Sequence, residues 1–112
     1  MKNKEKLIDK FPNHKDYLLK QLREDEEYAE MWFKSILDDY SETKDVNELV
    51  YNLRPIIEAK YTICEFAKKI GVHRITLYKI FAKRMVPSID ILNKVFSGIG
   101  YNLNLSAVKE SS

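Results

Sequence analysis

The chain has 112 residues, which is enough for one domain with a hydrophobic core and too few for two such domains. Hydrophobic residues make up 45% and charged residues 32% of it, a balance typical of soluble, ordered proteins. Cys64 is the only cysteine, which excludes an intrachain disulfide. The sequence has no apolar run of membrane-spanning length and no apolar signal-peptide core, so we expect a cytoplasmic protein without membrane contact.

The net charge of +2 hides an asymmetry along the chain. Residues 1–45 carry nine basic and twelve acidic side chains (net −3), whereas residues 46–112 carry ten basic and five acidic ones (net +5). We therefore predict an acidic helical hairpin at residues 1–45, a second unit at residues 46–106 and a polar tail at residues 107–112. The polar run Ser41 to Asp45 is the predicted linker.

The acidic segment predicts two helices after a loose lysine-rich arm at residues 1–10. Asn13 is a candidate N-cap for the first helix, which we expect to end near Arg23, and Asp25 is a candidate N-cap for the second. A strongly aromatic stripe at helical spacing then runs from Tyr28 to Tyr40. Such a stripe predicts core packing, but aromatic surface also favours a protein partner. The candidate partner contacts are Tyr28, Trp32 and Phe33.

Residues 46–57 repeat apolar side chains at helical spacing and predict a third helix. Pro55 lies inside this pattern. A proline ring removes one backbone hydrogen bond and clashes with the carbonyl group four residues earlier. We therefore predict a kink or a break in this helix near Leu53 and Arg54.

Residues 62–84 carry the clearest functional signal. Two apolar patterns at helical spacing follow one another there, formed by Ile63, Phe66, Ala67 and Ile70 and then by Leu77, Ile80 and Phe81. Thr62 can cap the first helix, and Gly71 suits the left-handed backbone that ends it. Two short helices joined by a turn with glycine predict a helix-turn-helix.

The second of these helices would expose a mixed face of cationic, aromatic and aliphatic side chains. In a helix-turn-helix, this helix meets base edges in the major groove. Arginine and lysine pair with guanine, and isoleucine can touch a thymine methyl group. Seven basic residues against one acid between Lys60 and Arg84 match the footprint of phosphate binding. An ordinary solvent-exposed helical hairpin is the alternative interpretation.

Ser88 is a candidate N-cap for a last helix, which we expect to end at Gly98 and Gly100. The apolar spacing then changes to two in residues 101–105, which predicts a short strand. A lone strand needs a partner, and we predict antiparallel pairing with the same strand of a second copy. The candidate dimer contacts are Tyr101, Leu103 and Leu105. An extended tail is the alternative.

Four motifs in this order carry a family resemblance: GVHR at 71–74, LYK at 77–79, PS at 87–88 and GYNLNL at 100–105. With them the chain resembles the Xre/Cro-like helix-turn-helix domains of phage repressors. It is more particularly similar, over roughly residues 15–106, to the HigA-like antidotes (antitoxins) of bacterial addiction modules. The resemblance implies an all-α fold: a lambda-repressor-like helix-turn-helix bundle with an N-terminal helical hairpin and a short C-terminal strand.

The resemblance also implies a function, namely a dimeric repressor that binds double-stranded operator DNA and a RelE-like ribonuclease toxin. Together with the exposed face, it makes four residues candidates for base reading: Arg74, Ile75, Tyr78 and Lys79. With the basic patch, it makes five residues candidates for phosphate contact: Thr62, Ile63, Thr76, Lys83 and Arg84. A stand-alone regulator without a toxin, and a protein-interaction module with weak DNA binding, are the alternatives.

The chain departs from the family pattern at three positions. His73 stands where serine or threonine normally caps the helix that meets the base edges. Pro55 interrupts the first helix of the unit, and Ile63 replaces the usual polar residue at the start of its second helix. At Ile63 only the backbone N–H could hold a phosphate.

Residues with catalytic or metal-binding chemistry lack a suitable arrangement in the sequence. Cys64 and the two histidines have no zinc-site spacing, and adjacent carboxylates on a helix do not face each other. The three glycines do not compose a phosphate-binding loop. We therefore predict a protein that is not an enzyme and has no cofactor, metal or small-molecule substrate.

Overall fold

The computed structural model describes residues 14–104, 106, 107 and 109. These residues form six α-helices and no strand: α1 (His14–Glu24), α2 (Glu26–Thr43), α3 (Val46–Glu58), α4 (Ile63–Ile70), α5 (Arg74–Phe81) and α6 (Ile89–Gly98). The predicted all-α class is confirmed. The N-terminal arm, the cap at Asn13 and the dimer contact at Leu105 lie outside the described residues. No helix in the described ranges is both long and apolar enough to cross a membrane.

Side-chain caps set the starts of several helices. A carboxylate oxygen of Asp25 accepts a hydrogen bond from the backbone N–H of Tyr28 (3.1 Å). The hydroxyl of Ser88 accepts one from the N–H of Ile91 (3.2 Å). Both predicted N-caps are therefore confirmed, and each satisfies a backbone donor that has no partner within its helix.

The predicted linker is wrong for Ser41 to Thr43, which continue α2. The helix ends at Lys44, which adopts the left-handed conformation (φ 57°) and donates its backbone N–H to the carbonyl of Tyr40. Asp45 then caps α3 by accepting from the N–H of Glu48 (3.1 Å). Because Ser41 to Thr43 contain no helix-breaking residue, polarity alone did not end α2.

The six helices share one hydrophobic core with α3 at its centre. α1 packs against both α2 and α3, and α3 also packs against α2, α4 and α5. The remaining helix, α6, packs against α4. The largest fully buried side chains come from five of the six helices and are Phe66, Ile36, Leu53, Ile57, Leu77, Ile80, Val50 and Val95. The acidic hairpin and the basic part of the chain are therefore joined through α3.

Of the kink or break predicted near Pro55, the break is wrong, because α3 runs without interruption through this residue to Glu58. The kink stays a prediction. Leu53 and Ile57, which flank the proline, are both completely buried. The carbonyl of Pro55 accepts from the N–H of Ala59 (3.0 Å), so the ladder resumes directly after it. Burial on both sides of the proline thus offsets the lost backbone hydrogen bond.

Gly98 marks a close approach between α4 and α6. A Cβ atom at this position would lie 2.5 Å from a side-chain methyl carbon of Ile70 and 2.8 Å from the ring of Phe66. A side chain therefore does not fit without movement of α4 or α6. The glycine that we predicted as a helix terminator also lets these two helices pack.

The segment after α6 folds back onto the core. The ring of Tyr101 stacks on the ring of Phe33 with centroids 3.8 Å apart and planes 8° apart, and Leu103 is half-buried. Residues 101–104 have no regular secondary structure within the described single chain. The strand and its pairing with a second copy stay a prediction.

Candidate nucleic-acid interface

The helix pair α4–α5 starts from a reciprocal cap. The hydroxyl of Thr62 accepts from the N–H of Glu65 (3.1 Å), and the carboxylate of Glu65 accepts from the N–H of Thr62 (2.9 Å). This is a capping box, and it confirms Thr62 as the predicted N-cap of α4. The hydrogen bond from the Thr62 backbone, and then that from its side chain, lower the pKa of Glu65.

A three-residue turn, Gly71 to His73, separates the two helices. Gly71 adopts the predicted left-handed conformation (φ 72°). In the described structure, the side chain of His73 makes no hydrogen bond to the start of α5. The first turn of α5 also contains no acidic residue. The helix α5 therefore begins without local stabilisation, and its position depends on what it packs against.

The buried side of α5 is the predicted one, formed by Leu77, Ile80 and Phe81. All four candidate base-reading residues are exposed, Ile75 and Tyr78 to 54% and 46%. Ile75, Tyr78 and Lys79 line one surface cleft together, whereas Arg74 lies at the start of α5 and lines a different cleft beside α4.

The five candidate phosphate contacts differ in their exposure to solvent. Thr62 and Arg84 are exposed and Thr76 is half-buried, whereas Ile63 is buried and offers only its backbone N–H at the start of α4. Lys83 has a left-handed backbone (φ 60°), and its ammonium group lies 3.1 Å from a carboxylate oxygen of Asp45. Lys83 thus ties the end of α5 to the start of α3.

Asn47 is a residue whose role the sequence did not reveal. Its buried side-chain amide donates to the carbonyls of Ile80 (3.0 Å) and Met85 (2.7 Å), which lie 33 and 38 residues away. These bonds anchor the end of α5 and the following loop to α3. In the sequence, Asn47 can be recognised as a polar residue on the buried side of α3, three positions before Val50. The carbonyl groups that accept its hydrogen bonds cannot be predicted from any local pattern.

Arg54 is the second residue that we missed. Its Nε atom donates to a carboxylate oxygen of Glu58 (3.0 Å), and its guanidinium carbon lies 5.1 Å from the ring centroid of Phe81 and 5.7 Å from that of Tyr78. A surface cleft of 550 Å³ between α3 and α5 passes beside this guanidinium group. In the sequence, Arg54 is distinguished only by its position before a proline.

Two of the three candidate partner contacts lie in the core. Trp32 and Phe33 are only 3% and 6% exposed, and Tyr28 is half-buried. Core packing of the aromatic stripe is thus confirmed, and these two rings are covered by the chain itself. The outer side of α2 instead exposes Met31 (59%) among acidic residues such as Glu27 and Glu30.

Clusters that could hold a metal ion, with three or more His, Cys, Asp or Glu side chains, are absent from the described part of the chain. A family model described as "probable addiction module antidote protein" matches residues 14–107. The chain belongs to this family. No curated protein and no solved structure matches the chain. An antidote implies a toxin, so the family gives this antidote protein a toxin partner of some kind.

Proposed function

We propose that this antidote protein is the antitoxin of a type II toxin–antitoxin module, and that it represses transcription by binding its own operator. Its family supports the antitoxin role over that of a stand-alone regulator. The DNA-binding role is carried by one observation: Arg74, Ile75, Tyr78 and Lys79 are all exposed on a short helix that follows a glycine turn.

In this proposal α4 and α5 act as a helix-turn-helix, and the N-terminal half of α5 enters the major groove. Arg74 pairs with O6 and N7 of a guanine, Lys79 reaches the same kind of acceptor, and Ile75 contacts a thymine methyl group. Thr62 and Arg84 contact the bordering phosphates, which fix the orientation of the helix on the duplex.

The two units of the chain have different binding partners in this proposal. Residues 46–106 bind DNA, and the acidic hairpin before them binds the toxin, for which a RelE-like ribonuclease is the proposed identity. A ribonuclease must attract RNA phosphates and is therefore cationic near its active site. The acidic outer side of α2, with Glu27 and Glu30 around the exposed Met31, complements such a surface.

The operator-binding form is a dimer. Operators with two-fold symmetry are read by two copies of a helix-turn-helix. We place the contact at Tyr101, Leu103 and Leu105. The first two side chains pack against the core of their own chain, and the backbone of residues 101–104 belongs to no helix. That backbone can pair with its copy across a two-fold axis.

The experiment compares Arg74→Ala with Lys20→Ala, which removes an exposed cation from α1. Each full-length variant is titrated with a duplex from the region upstream of its own gene and with an unrelated duplex. Arg74→Ala should cost about 1–3 kcal/mol on the upstream duplex and relax specificity at one base pair. Lys20→Ala should leave the discrimination unchanged.

The same variants are co-expressed with the small protein encoded by the neighbouring gene. Arg74→Ala should still neutralise that protein, because the proposed toxin site lies on α2. Two results would contradict the proposal: a wild-type chain that binds both duplexes equally, and a wild-type chain that leaves the neighbouring gene product active.

A further inference from the structure

We propose that the cleft between α3 and α5 binds a phosphate of the DNA backbone, and that Arg54 on α3 is the residue that holds it. The inference rests on the proposed DNA binding by α5 and adds a contact from a second helix. The evidence is the shape of the cleft, its charge and the way the Arg54 side chain is held.

The cleft has a volume of 550 Å³ and lies directly beside the proposed reading face. Tyr51 and Arg54 form the α3 side, and Tyr78 and Lys79 belong to the α5 side. Arg84 lines it as well. Three of the residues that line the cleft in the described structure are therefore cationic, and none of them is acidic. A concave surface with one sign of charge attracts an anion more strongly than a flat surface does.

The guanidinium group of Arg54 is held in place before any ligand arrives. Glu58 accepts from its Nε atom one helical turn away, and the rings of Tyr78 and Phe81 lie beside its guanidinium carbon at 5.7 and 5.1 Å. The side chain remains 30% exposed. An arginine that is already ordered loses less conformational entropy when it binds a phosphate.

The donors of Arg54 are not exhausted by these contacts. The hydrogen bond to Glu58 uses Nε, whereas a guanidinium group has five N–H donors. The two Nη atoms keep the fork geometry that matches two oxygens of a phosphate. Glu58 also pairs with Lys15 (3.4 Å), so its negative charge is shared between two cations. The cleft thus stays positive.

The position of the cleft matches the path of a DNA strand. Its α5 side includes Ile75 and Lys79, which are proposed to read bases. When α5 lies in the major groove, a sugar-phosphate strand borders the groove on each side of the helix. The α3 side of the cleft is then opposite one of these strands, where Arg54 can meet it.

The test uses the full-length chain, the upstream duplex and an unrelated duplex, each titrated over a series of salt concentrations. The variants are Arg54→Gln, which removes the charge but keeps a long polar side chain, Arg54→Lys and the control Lys20→Ala. A phosphate contact contributes equally on every sequence and releases about one counterion. Arg54→Gln should therefore weaken binding about tenfold on both duplexes. It should also reduce the slope of log affinity against log salt by about one.

The controls separate a phosphate contact from a structural role. Arg54→Lys should keep the wild-type salt slope, and Lys20→Ala should keep both the slope and the affinity. An unfolding curve of each variant gives its folded fraction, so that binding is compared between folded proteins. Arg54→Gln with weaker binding and a wild-type slope would show that Arg54 only supports the packing of α5, and would overturn the inference.

A second variant covers the case in which Arg54→Gln does not fold. Glu58→Gln keeps an oxygen acceptor for Arg54 and removes the neighbouring negative charge. It should raise the affinity for both duplexes by about two- to fivefold at low salt, and an unchanged or lower affinity would contradict the inference. If the wild-type chain binds neither duplex, the proposed function itself fails; wild-type binding with unaffected Arg54 variants removes only the phosphate site.

Discussion

The helices α4 and α5 have eight residues each and follow one another across three residues, yet they are held in different ways. α4 has a reciprocal cap at its start, formed by Thr62 and Glu65, and a left-handed glycine at its end. α5 has no side-chain cap and no acid in its first turn. Local chemistry defines α4, whereas the rest of the fold holds α5.

Besides its packing against α4, α5 is held by contacts from α3 and from the residue that caps α3. Asn47 binds two carbonyls at the end of α5 and beyond it, the Asp45–Lys83 pair lies beside them, and Arg54 lies beside the aromatic rings of α5. Because α5 is held in this way, its outward residues do not need to cap the helix. Their identities can then serve recognition, since the position of the helix is fixed from behind.

The largest expected effect is that of Asn47→Leu, which keeps the branched, four-atom side chain but removes the amide. The carbonyl of Met85 loses its hydrogen bond at a partly buried site, and the anchor of α5 is lost. We expect a loss of about 1–3 kcal/mol in the free energy of unfolding. The measurement is urea denaturation.

Asn52→Leu on the same helix is the matched control, because Asn52 is half-buried and lies outside the anchor. Equal losses in the two variants would mean that the hydrogen bonds of Asn47 do not stabilise α5. The contrast between the two helices would then rest on apolar packing alone.

Substitutions at the N-cap positions of α4 and α5 are expected to change the stability less. Thr62→Ala removes the hydroxyl that caps α4 and should cost about 1 kcal/mol in thermal unfolding. His73→Ala removes a side chain without a cap bond and should change the stability by less than about 0.5 kcal/mol. If His73→Ala cost as much as Thr62→Ala, the start of α5 would be locally stabilised after all.

The smallest expected effect is on the dependence of the stability on acidic pH. The pKa of Asp45 is lowered from 3.8, first by the hydrogen bond from the Glu48 backbone and then by that from Lys83, and the pKa of Glu65 is lowered from 4.5 by Thr62. Both pKa values are lower in the folded protein than in the unfolded chain. Each ionised carboxylate therefore stabilises the fold at pH values above its unfolded-state pKa. Their contributions are lost as the pH falls through the lowered pKa values.

The double variant Asp45→Asn, Glu65→Gln keeps an oxygen acceptor at each cap but removes the titration. Its unfolding temperature should therefore fall less than that of the wild type as the pH is lowered below 4.5. The start of α5 has no such carboxylate, so acid should affect the start of α4 before that of α5. Equal acid sensitivity in the wild type and the double variant would contradict this assignment.

Much of the framework could be predicted from the sequence because its causes are local. The caps at Asp25, Thr62 and Ser88 and the left-handed Gly71 involve residues at most a few positions apart. The buried side of α5 followed from apolar spacing. The family also followed from short motifs, and the match to antidote proteins over residues 14–107 confirms it.

The sequence by itself thus determined where α4 begins and ends and which side of α5 is buried, because caps and helical periodicity act over one or two turns. Only the tertiary structure decided that Trp32 and Phe33 are core residues, that α3 continues through Pro55, and that Asn47 and Arg54 stand behind α5. These outcomes depend on contacts between segments far apart in the chain. No local pattern records such contacts, since they exist only once α3 has packed against its neighbours.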